Sequence, residues 1–384
     1  MNLLISTQSA VQFDGQFYYG NSVRAMWNRY HNFGDECRLI CHKKNVLKPS
    51  QDKLGEDINL IFIQKINTVK AVLHRYSKAN DKIAEEQVKW ADLCIIHVPS
   101  NNGYQVIKHC KKHNKPYMTV VCGCSWDALW NHGWQGKLLA PSGYFSLRKA
   151  QKDAPYSVYV TNEFLQNRYP TNGKSIGCSN VNIKTGEEGV LERRLGNIEK
   201  RTSEGRVVKV GTAAAVDVEY KGQEYVIRAV AELKKRGIRF EYHLIGLGDD
   251  SRLRQIAQEC AVSDSVFFHG ALPHNQVFTF LDDLDIYVQP SKQEGLPRSM
   301  IEAMSRGCLC LGSRTAGIPE LIQSDYVFPK GGVKDIVRIL TSITKEKLKE
   351  QAITNFEKAK DFDSGVLNYR REEFLKSIIR KEIK

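Results

Sequence analysis

The segment SKQEGLPRSMIEAM (residues 291–304) places two carboxylates, Glu294 and Glu302, on either side of a predicted helix start. Glu294 follows the predicted strand DIYVQPS, and Gly295 permits close backbone approach. Pro297 suits a first helical turn, whose free amides and dipole attract an anion such as a phosphate. Glu302, further along the helix, can accept two hydroxyl hydrogen bonds from a ribose. The pattern predicts different roles for the two acids, one near a reacting sugar and one holding a nucleoside.

The elements that position this segment alternate between short apolar runs and helical patterns, as in an α/β protein with parallel sheets. A first series has predicted strands NLLIST, CRLICH, NLIFIQ, DLCIIHVPS, YMTVVCG and YSVYVT. A second series has strands VVKVGT, EYHLIG, VFFHG, DIYVQPS and CLCLGS, separated by helices such as GQEYVIRAVAELKKRG. We therefore predict two doubly wound domains with a cleft at the carboxyl ends of their strands, where open α/β sheets bind ligands.

The length of 384 residues favours two domains. The N-terminal domain is predicted over residues 1–182 and the C-terminal domain over residues 206–362. Residues 183–205 are polar and contain several glycines, so they are interpreted as a linker with a surface excursion. A last helix, residues 363–384, is expected to pack back on the N-terminal domain.

Composition and cysteine usage narrow the class of protein. No apolar run reaches the length of a membrane span, and MNLLIS is too short for a signal peptide, so a cytoplasmic protein is expected. The ten cysteines include three close pairs, but none has CxxC spacing with a second pair downstream, which argues against a zinc site. Asp282 and Asp283 resemble a metal-binding pair but close a predicted helix, so a structural role is favoured. No metal and no other cofactor is predicted.

The net charge of +13 fits nucleic acid, an anionic membrane surface or phosphorylated substrates as partners. The densest basic stretches, KHCKKHNK (108–115) and YRREEFLKSIIRKEIK (369–384), do not interleave basic and aromatic residues as stacking platforms do. No nucleic-acid motif is present, so no nucleic-acid partner is predicted. A solvated basic face and peripheral contact with an anionic membrane remain as interpretations.

The segment PSKQEGLPRSMIEAMSRG closely resembles the donor-site signature of the retaining glycosyltransferases of family 4, which have the GT-B fold. Other similarities follow in family order. FDGQFYYGNSVRAM resembles the first glycine-containing loop and helix, and EYKGQEYVIRAVAEL and VFFHGALPHNQVFTFL resemble nucleotide-binding elements of the second domain. The resemblance implies two Rossmann-like domains facing a central cleft and a nucleotide-sugar donor, with a UDP-sugar favoured and a GDP-sugar as the alternative.

The resemblance also implies a role for each matching residue. Glu294 would orient the transferred sugar and stabilise positive charge at its anomeric carbon, while Lys221 would neutralise the leaving diphosphate. His97, at a strand end, is a candidate for contact with the sugar or acceptor. A solvated lysine at 221 and a hydrogen-bonded structural histidine at 97 are the alternative interpretations. The implied donor-binding residues are Glu302, Gly295, Leu296, Pro297, Arg298, Ser299, Gly211, Thr212, Leu272 and Gly15.

The sequence departs from the family pattern in the second domain. Thr212 stands where family members place an arginine after the glycine of the first strand. Arg298 or Arg314 is the candidate to supply the missing positive charge. Cys122-Gly123 stands in place of a common His-Gly pair, and Ser179-Asn180 in place of an asparagine-glycine turn.

The expected function is metal-independent, retaining transfer of a sugar to a saccharide or lipid-linked saccharide, in the synthesis of a bacterial surface polysaccharide. A nucleotide-sugar 2-epimerase shares the architecture and the donor, but it would release an epimerised sugar without any acceptor. A non-catalytic sugar-binding relative is the third hypothesis. A panel of nucleotide sugars separates them, because the outcomes are slow donor hydrolysis, epimer formation, or neither.

Overall fold

The computed structural model describes residues 1–66 and 77–383. They form two compact units. The first unit comprises Met1–Cys178 together with Asn368–Lys384, and the second comprises Ser179–Leu367. The first unit ends at Cys178, four residues before the predicted domain end at 182, and it resumes at Asn368, five residues after the predicted start of the last helix at 363. In the described part of the chain, no helix combines the length and apolar character that crossing a membrane requires.

The sheet of the first unit has the strand order β4-β3-β1-β5-β6-β7-β8, with parallel neighbours throughout. Strand β2 adds to β1 as an antiparallel hairpin. The central strand LCIIHV is buried at every position, as expected of a strand covered on both faces. The strands are β1 (Asn2–Phe13), β2 (Tyr18–Tyr19), β3 (Glu36–Asn45), β4 (Leu60–Phe62), β5 (Leu93–Val98), β6 (Tyr117–Val121), β7 (Tyr156–Tyr159) and β8 (Lys174–Gly177).

The sheet of the second unit is parallel with the order β11-β10-β9-β12-β13-β14. The order reverses at β9 and β12, so their carboxyl ends form the switch point where such sheets bind ligands. Its strands are β9 (Val208–Ala213), β10 (Phe240–Ile245), β11 (Val266–Phe268), β12 (Ile286–Gln289), β13 (Leu309–Ser313) and β14 (Val327–Phe328). Two parallel-sheet α/β units were predicted, and this fold class is confirmed.

The helices lie between successive strands and at the end of the chain. In chain order they are α1 (Asn21–Tyr30), α2 (Lys78–Trp90), α3 (Asn101–Lys112), α4 (Ser125–Trp130), α5 (Gly133–Lys152), α6 (Phe164–Arg168), α7 (Val190–Ser203), α8 (Gln223–Lys235), α9 (Ser251–Glu259), α10 (His274–Asp283), α11 (Arg298–Ser305), α12 (Ile318–Leu321), α13 (Val333–Thr341), α14 (Lys345–Ala359) and α15 (Ser364–Glu382).

Helix α7 corrects the interpretation of residues 183–205 as a linker. Its buried stripe, Val190, Arg194 and Ile198, has helical spacing, but the arginine in the middle disguises it. The Arg194 guanidinium donates to the carbonyl oxygens of Arg306 at 2.9 Å and Leu281 at 2.8 Å. Carbonyls at the ends of α10 and α11 therefore satisfy this charge, which is why a polar segment forms a packed helix.

The last helix contributes to the first unit. Tyr156 donates from its hydroxyl to Glu382 at 2.6 Å, and Arg370 donates to the Gly177 carbonyl at 3.1 Å. Arg371 is buried and donates to the thiol sulfur of Cys178 at 3.3 Å. These contacts explain why Asn368–Lys384 group with residues far away in the sequence.

Candidate active site

Lys221 and Glu294, which the sequence paired only through the family resemblance, form an ion pair. The Lys221 ammonium lies 2.7 Å from Glu294 Oε1, and the two side chains are 20% and 11% exposed. A short 3₁₀ turn, Glu219–Lys221, carries the lysine, and Gly222 after it has φ +73°. A Cβ on Gly222 would lie 2.2 Å from the carbonyl oxygen of Pro290, so only glycine lets this turn approach the loop after β12.

A buried hydrogen-bond network holds the Glu294 carboxylate. Gln289, the last residue of β12, donates from Nε2 to Glu294 Oε1 at 3.0 Å and to the Ser291 hydroxyl at 2.8 Å. The Tyr287 hydroxyl donates to Gln289 Oε1 at 2.7 Å. Both donors described for Glu294 use Oε1, so Oε2 is the oxygen that can accept a hydrogen bond from a sugar hydroxyl. Sequence reasoning missed Gln289, although a polar residue closing an apolar strand was a visible signal.

Helix α11 begins directly after this carboxylate. Pro297 is its N-cap and no side chain caps it, so the amides of the first turn are available to an anion. The Ser299 hydroxyl lies 2.8 Å from the Tyr287 hydroxyl and thus belongs to the buried network, which leaves the Ser299 amide available to an anion. The carbonyl of Gly295 accepts from the Gly317 amide at 2.9 Å and anchors the loop, while Leu296 is half-buried.

Glu302 has a different environment from Glu294. Its side chain is mostly buried, and this burial raises the pKa of the carboxyl, while the neighbouring His274 and Arg298 side chains oppose the rise. His274 Nε2 lies 3.8 Å from Glu302 Oε1. His274 is the first residue of α10, and the half-buried Leu272 lies two residues before it. The structure thus brings His274, which sequence reasoning missed, to the proposed ribose carboxylate.

Gly211 and Thr212, in strand β9, contribute to the packing of the second sheet. Thr212 is fully buried, donates from its hydroxyl to the Val288 carbonyl at 2.7 Å and accepts from Tyr242 at 2.8 Å. Its side chain is therefore committed to the core, and only its backbone is left for a donor. A Cβ on Gly211 would lie 2.3 Å from the Leu284 side chain, so this glycine serves strand packing.

Of the two arginines suggested as substitutes for the family arginine, Arg298 lies in the site. It is exposed at the first position of α11, and its charge acts on the Glu302 carboxyl. Arg314 is also exposed, and its amide donates to the Phe328 carbonyl at 2.7 Å.

His97 and Gly15 belong to the first unit. The His97 ring is buried at the end of β5, with Nδ1 3.5 Å from the Cys122 sulfur. Burial, followed by the charges of Arg29 and Arg371, lowers the pKa of His97 to about 3, so the ring is neutral at physiological pH. Gly15 has φ +105° in the turn between β1 and β2, and no heavy atom lies within 4 Å of a Cβ built there.

The acidic pair at the end of α10 is bound by cations. Arg306 Nη2 lies 2.7 Å from Asp282, and Asp283 is paired with Arg201 at 2.9 Å and with Lys209 at 2.7 Å. This agrees with the structural role expected from the sequence.

A second group of metal-ligand residue types lies between α2 and α3. The ligand atoms of Glu85, His109 and His113 lie within 4.8 Å of one another. However, His113 and the Lys112 ammonium both lie 2.8 Å from the same Glu85 oxygen, and His109 lies 3.0 Å from Asp81. A metal ion would have to displace a lysine already in place, so we interpret the group as an ion-pair network between two helices.

Two parallel α/β units, with a lysine–carboxylate pair and an uncapped helix start at the switch point of the second, are the architecture of a GT-B glycosyltransferase. Residues 201–360 match the family model of the glycosyl transferases group 1, which confirms the relationship recognised in the sequence. The chain has the GT-B fold, and its residues 201–360 are related to the group 1 glycosyl transferases. Its assignment to family 4 in particular stays a prediction.

Curated relatives are consistent with this class. Protein CapJ of Staphylococcus aureus is 29% identical over 345 residues, which cover 88% of this chain and 84% of CapJ. The putative colanic acid biosynthesis glycosyltransferase WcaL of Salmonella typhimurium is 27% identical over 219 residues, about half of each chain.

Solved structures match over nearly the whole chain. The sucrose-phosphate synthase of Thermosynechococcus elongatus superposes with a TM-score of 0.72 at 12% identity, covering 99% of both chains. HepE of Anabaena, in complex with UDP, gives a TM-score of 0.67 at 15% identity, covering 98% of this chain and 100% of HepE. At such identities the similarity establishes the fold alone.

Proposed function

We propose that the protein transfers a sugar from a nucleotide-sugar donor, a UDP-sugar in the first instance, to a saccharide or lipid-linked saccharide, with retention of configuration. The observation that carries the proposal is the 2.7 Å pair of Lys221 and Glu294 beside the uncapped start of α11. The lysine suits an anionic leaving group, and the glutamate suits a sugar centre that becomes cationic. Glu302, deeper in the same helix, supplies the ribose contact.

Charge development in the reaction explains the need for both groups. Breaking a sugar–phosphate bond leaves a nucleoside diphosphate and an oxocarbenium-like sugar. Lys221 and the first amides of α11 stabilise the diphosphate, while Oε2 of Glu294 orients the sugar and stabilises its positive charge. The acceptor hydroxyl attacks from the face that the diphosphate leaves, and the departing phosphate takes the proton. This path gives retention without a separate nucleophile.

We infer that the reaction needs no metal ion. Lys221, Arg298 and the positive end of α11 together offer the charge that a divalent cation would bring to a diphosphate. Turnover should therefore persist in excess chelator and should not rise when magnesium or manganese is added. Loss of turnover in chelator that is recovered with one of these ions would remove this part of the proposal.

The acceptor is inferred from charge and from the relatives. WcaL and AmsK are described as glycosyltransferases of colanic acid and amylovoran biosynthesis. HepE has been solved with UDP and with UDP-glucose. We infer from these relatives a role in bacterial surface polysaccharide synthesis with a UDP-sugar. The net charge of +13 suits a cytoplasmic protein at the inner face of the membrane, where a lipid-linked acceptor is found.

The first test is a thermal-shift screen with UDP, GDP, ADP, CMP and their sugars. It compares wild type with Glu302→Ala and with Glu350→Ala, which removes an exposed carboxylate of the same unit. We expect one nucleotide to stabilise wild type and Glu350→Ala but not Glu302→Ala. Incubation with the selected sugar nucleotide then identifies the reaction by NMR. Slow hydrolysis to a sugar of the same anomeric configuration supports the proposal, whereas an epimerised sugar or no nucleotide binding would favour the two alternatives.

A further inference from the structure

Helix α5 of the first unit turns apolar side chains toward solvent. Trp134, Leu138 and Phe145 are 70%, 71% and 65% exposed. Their spacing of four and seven residues puts them on one face of the helix. The opposite face contributes Ala140 and Leu147 to the core. Helix α5 therefore has large apolar side chains on its outward face as well as on the face that packs against the core.

The exposed face continues into the preceding helix α4. Trp130 is itself 43% exposed and stacks on Trp126 with ring centroids 5.5 Å apart. The Lys137 ammonium lies 5.8 Å from the centre of the Trp130 ring, which links the end of α4 to the first turns of α5. We call Trp130, Trp134, Leu138 and Phe145 the α5 face. Contiguous exposed apolar surface of this kind marks an interaction site.

The charged residues of helix α5 itself all have a positive sign. The helix sequence GWQGKLLAPSGYFSLRKAQK contains Lys137, Arg148, Lys149 and Lys152 and no aspartate or glutamate. Asp153, the next residue, is bound by Lys111 at 2.6 Å. Helix α5 thus combines exposed apolar side chains with four cations and has no acid of its own, while Asp127 lies in the preceding helix α4.

We propose that the α5 face seats the first unit on an anionic lipid bilayer, with its aromatic residues at the headgroup–acyl boundary and its cations on lipid phosphates. Helices with this combination lie in the plane of a membrane interface, where tryptophan is enriched. A symmetric dimer through the same face would oppose four cations with four others, which disfavours a second copy as the occupant. This inference rests on the proposed function in one respect: membrane binding would give the enzyme access to a lipid-linked acceptor.

The test compares binding to vesicles of phosphatidylglycerol mixed with phosphatidylcholine and to vesicles of phosphatidylcholine alone. The variant Trp134→Ser/Leu138→Ser removes two anchors, and Leu47→Ser removes a leucine that is fully exposed elsewhere in the first unit. Burying one such side chain contributes about tenfold in affinity, so we expect a loss of about a hundredfold for the double variant and no change for the control. Sedimentation measures the affinity, and thermal melting verifies folding.

A second pair of variants tests the charge. Lys149→Gln/Lys152→Gln should weaken binding to the anionic vesicles about thirtyfold, while Lys334→Gln, in the second unit, should leave it unchanged. The difference should disappear in concentrated salt, which screens the lipid charge. Wild-type tryptophan fluorescence should shift to the blue on the anionic vesicles, and this shift should shrink in Trp134→Ser.

Each outcome decides the assignment. Equal vesicle binding by wild type and Trp134→Ser/Leu138→Ser would overturn it, as would equal binding to neutral vesicles or no binding to anionic ones. If wild type forms a concentration-dependent dimer and Trp134→Ser/Leu138→Ser abolishes it, the partner of the α5 face is a second copy of the chain and the membrane assignment is wrong. Glu302→Ala should keep vesicle binding, and the double variant should keep nucleotide binding, so failure of the donor site and failure of the membrane assignment are distinguishable.

Discussion

Replacing Lys221 by methionine isolates the central interaction of the site. Methionine keeps the length of the side chain and removes the charge 2.7 Å from Glu294. The carboxylate then retains only the Gln289 donor described above. The substitution should lower both the turnover and the free energy of unfolding. A second substitution, at Glu294, should affect these two quantities differently.

The loss in turnover follows from the role of the cation. Removing one preorganised group that stabilises transition-state charge costs about 10²–10³ in kcat, or about 3–4 kcal/mol. The free energy of unfolding should also fall, by about 1–3 kcal/mol, because a mostly buried carboxylate has lost its counter-ion. Adding Glu294→Gln removes the stranded charge. We therefore expect Lys221→Met/Glu294→Gln to regain most of the stability and none of the turnover.

Urea unfolding and donor turnover measure the two effects separately. Lys209→Met is the matched control, since Lys209 also forms a 2.7 Å ion pair, with Asp283, but that aspartate is 56% exposed. It should change the stability by less than about 1 kcal/mol and leave turnover intact. The reasoning is refuted if Lys221→Met turns over within threefold of wild type, or if the double variant is no more stable than the single one.

Three further predictions concern pH and backbone geometry. Burial raises the pKa of Glu302, so nucleotide affinity, which uses the carboxylate, should fall as pH drops through that raised value, and Glu302→Gln should abolish this dependence in calorimetric titrations. The pKa of His97 is about 3 in the native protein, below its ordinary value of 6.5. Between these two pH values the unfolded chain therefore binds one more proton at His97 than the native protein does. The free energy of unfolding should thus decline as pH falls from 6.5 toward 3, and His97→Asn should flatten that slope while preserving the neutral-pH rate profile. Gly222→Ala combines a φ of +73° with a 2.2 Å approach to the Pro290 carbonyl, so it should cost at least about 2 kcal/mol in unfolding and reduce turnover by displacing Lys221. A Gly237→Ala control, at φ +75° with no atom nearby, should cost about 1 kcal/mol and keep turnover.

Much of the fold was predictable because local patterns and tertiary burial agree. LCIIHV is apolar throughout since β5 is buried on both faces, and the apolar stripe of α8 is buried as its spacing predicts. The donor-site signature could likewise be recognised because strand, loop and helix are consecutive. The Lys221–Glu294 pair joins residues 73 positions apart, so it was reachable only through the family resemblance.

The environments of Arg194 and Thr212 could not be predicted for one physical reason: each is a polar residue satisfied by distant partners. Arg194 reaches the carbonyl of Arg306 across 112 positions, and the Thr212 hydroxyl reaches Val288 across 76. Nothing local distinguishes such residues from solvated ones. The α5 face shows the opposite difficulty. Tryptophan and leucine are residue types that usually lie in the core, so only their exposure in the structure indicates that they serve another purpose.

The two glutamates of residues 291–304 show why residue type and spacing could not assign the chemistry alone. Glu294 has a lysine and an amide as hydrogen-bond donors, so its negative charge is held in place where a sugar cation would develop. Glu302 is buried beside a histidine 3.8 Å away and has its pKa raised, so it gains most from a ligand that brings hydroxyl donors. In the proposed reaction a ribose would supply two such donors and the transferring sugar would supply the cation. Exchanging the two environments would reverse the two proposed roles, because the surrounding donors and not the residue type distinguish the two carboxylates.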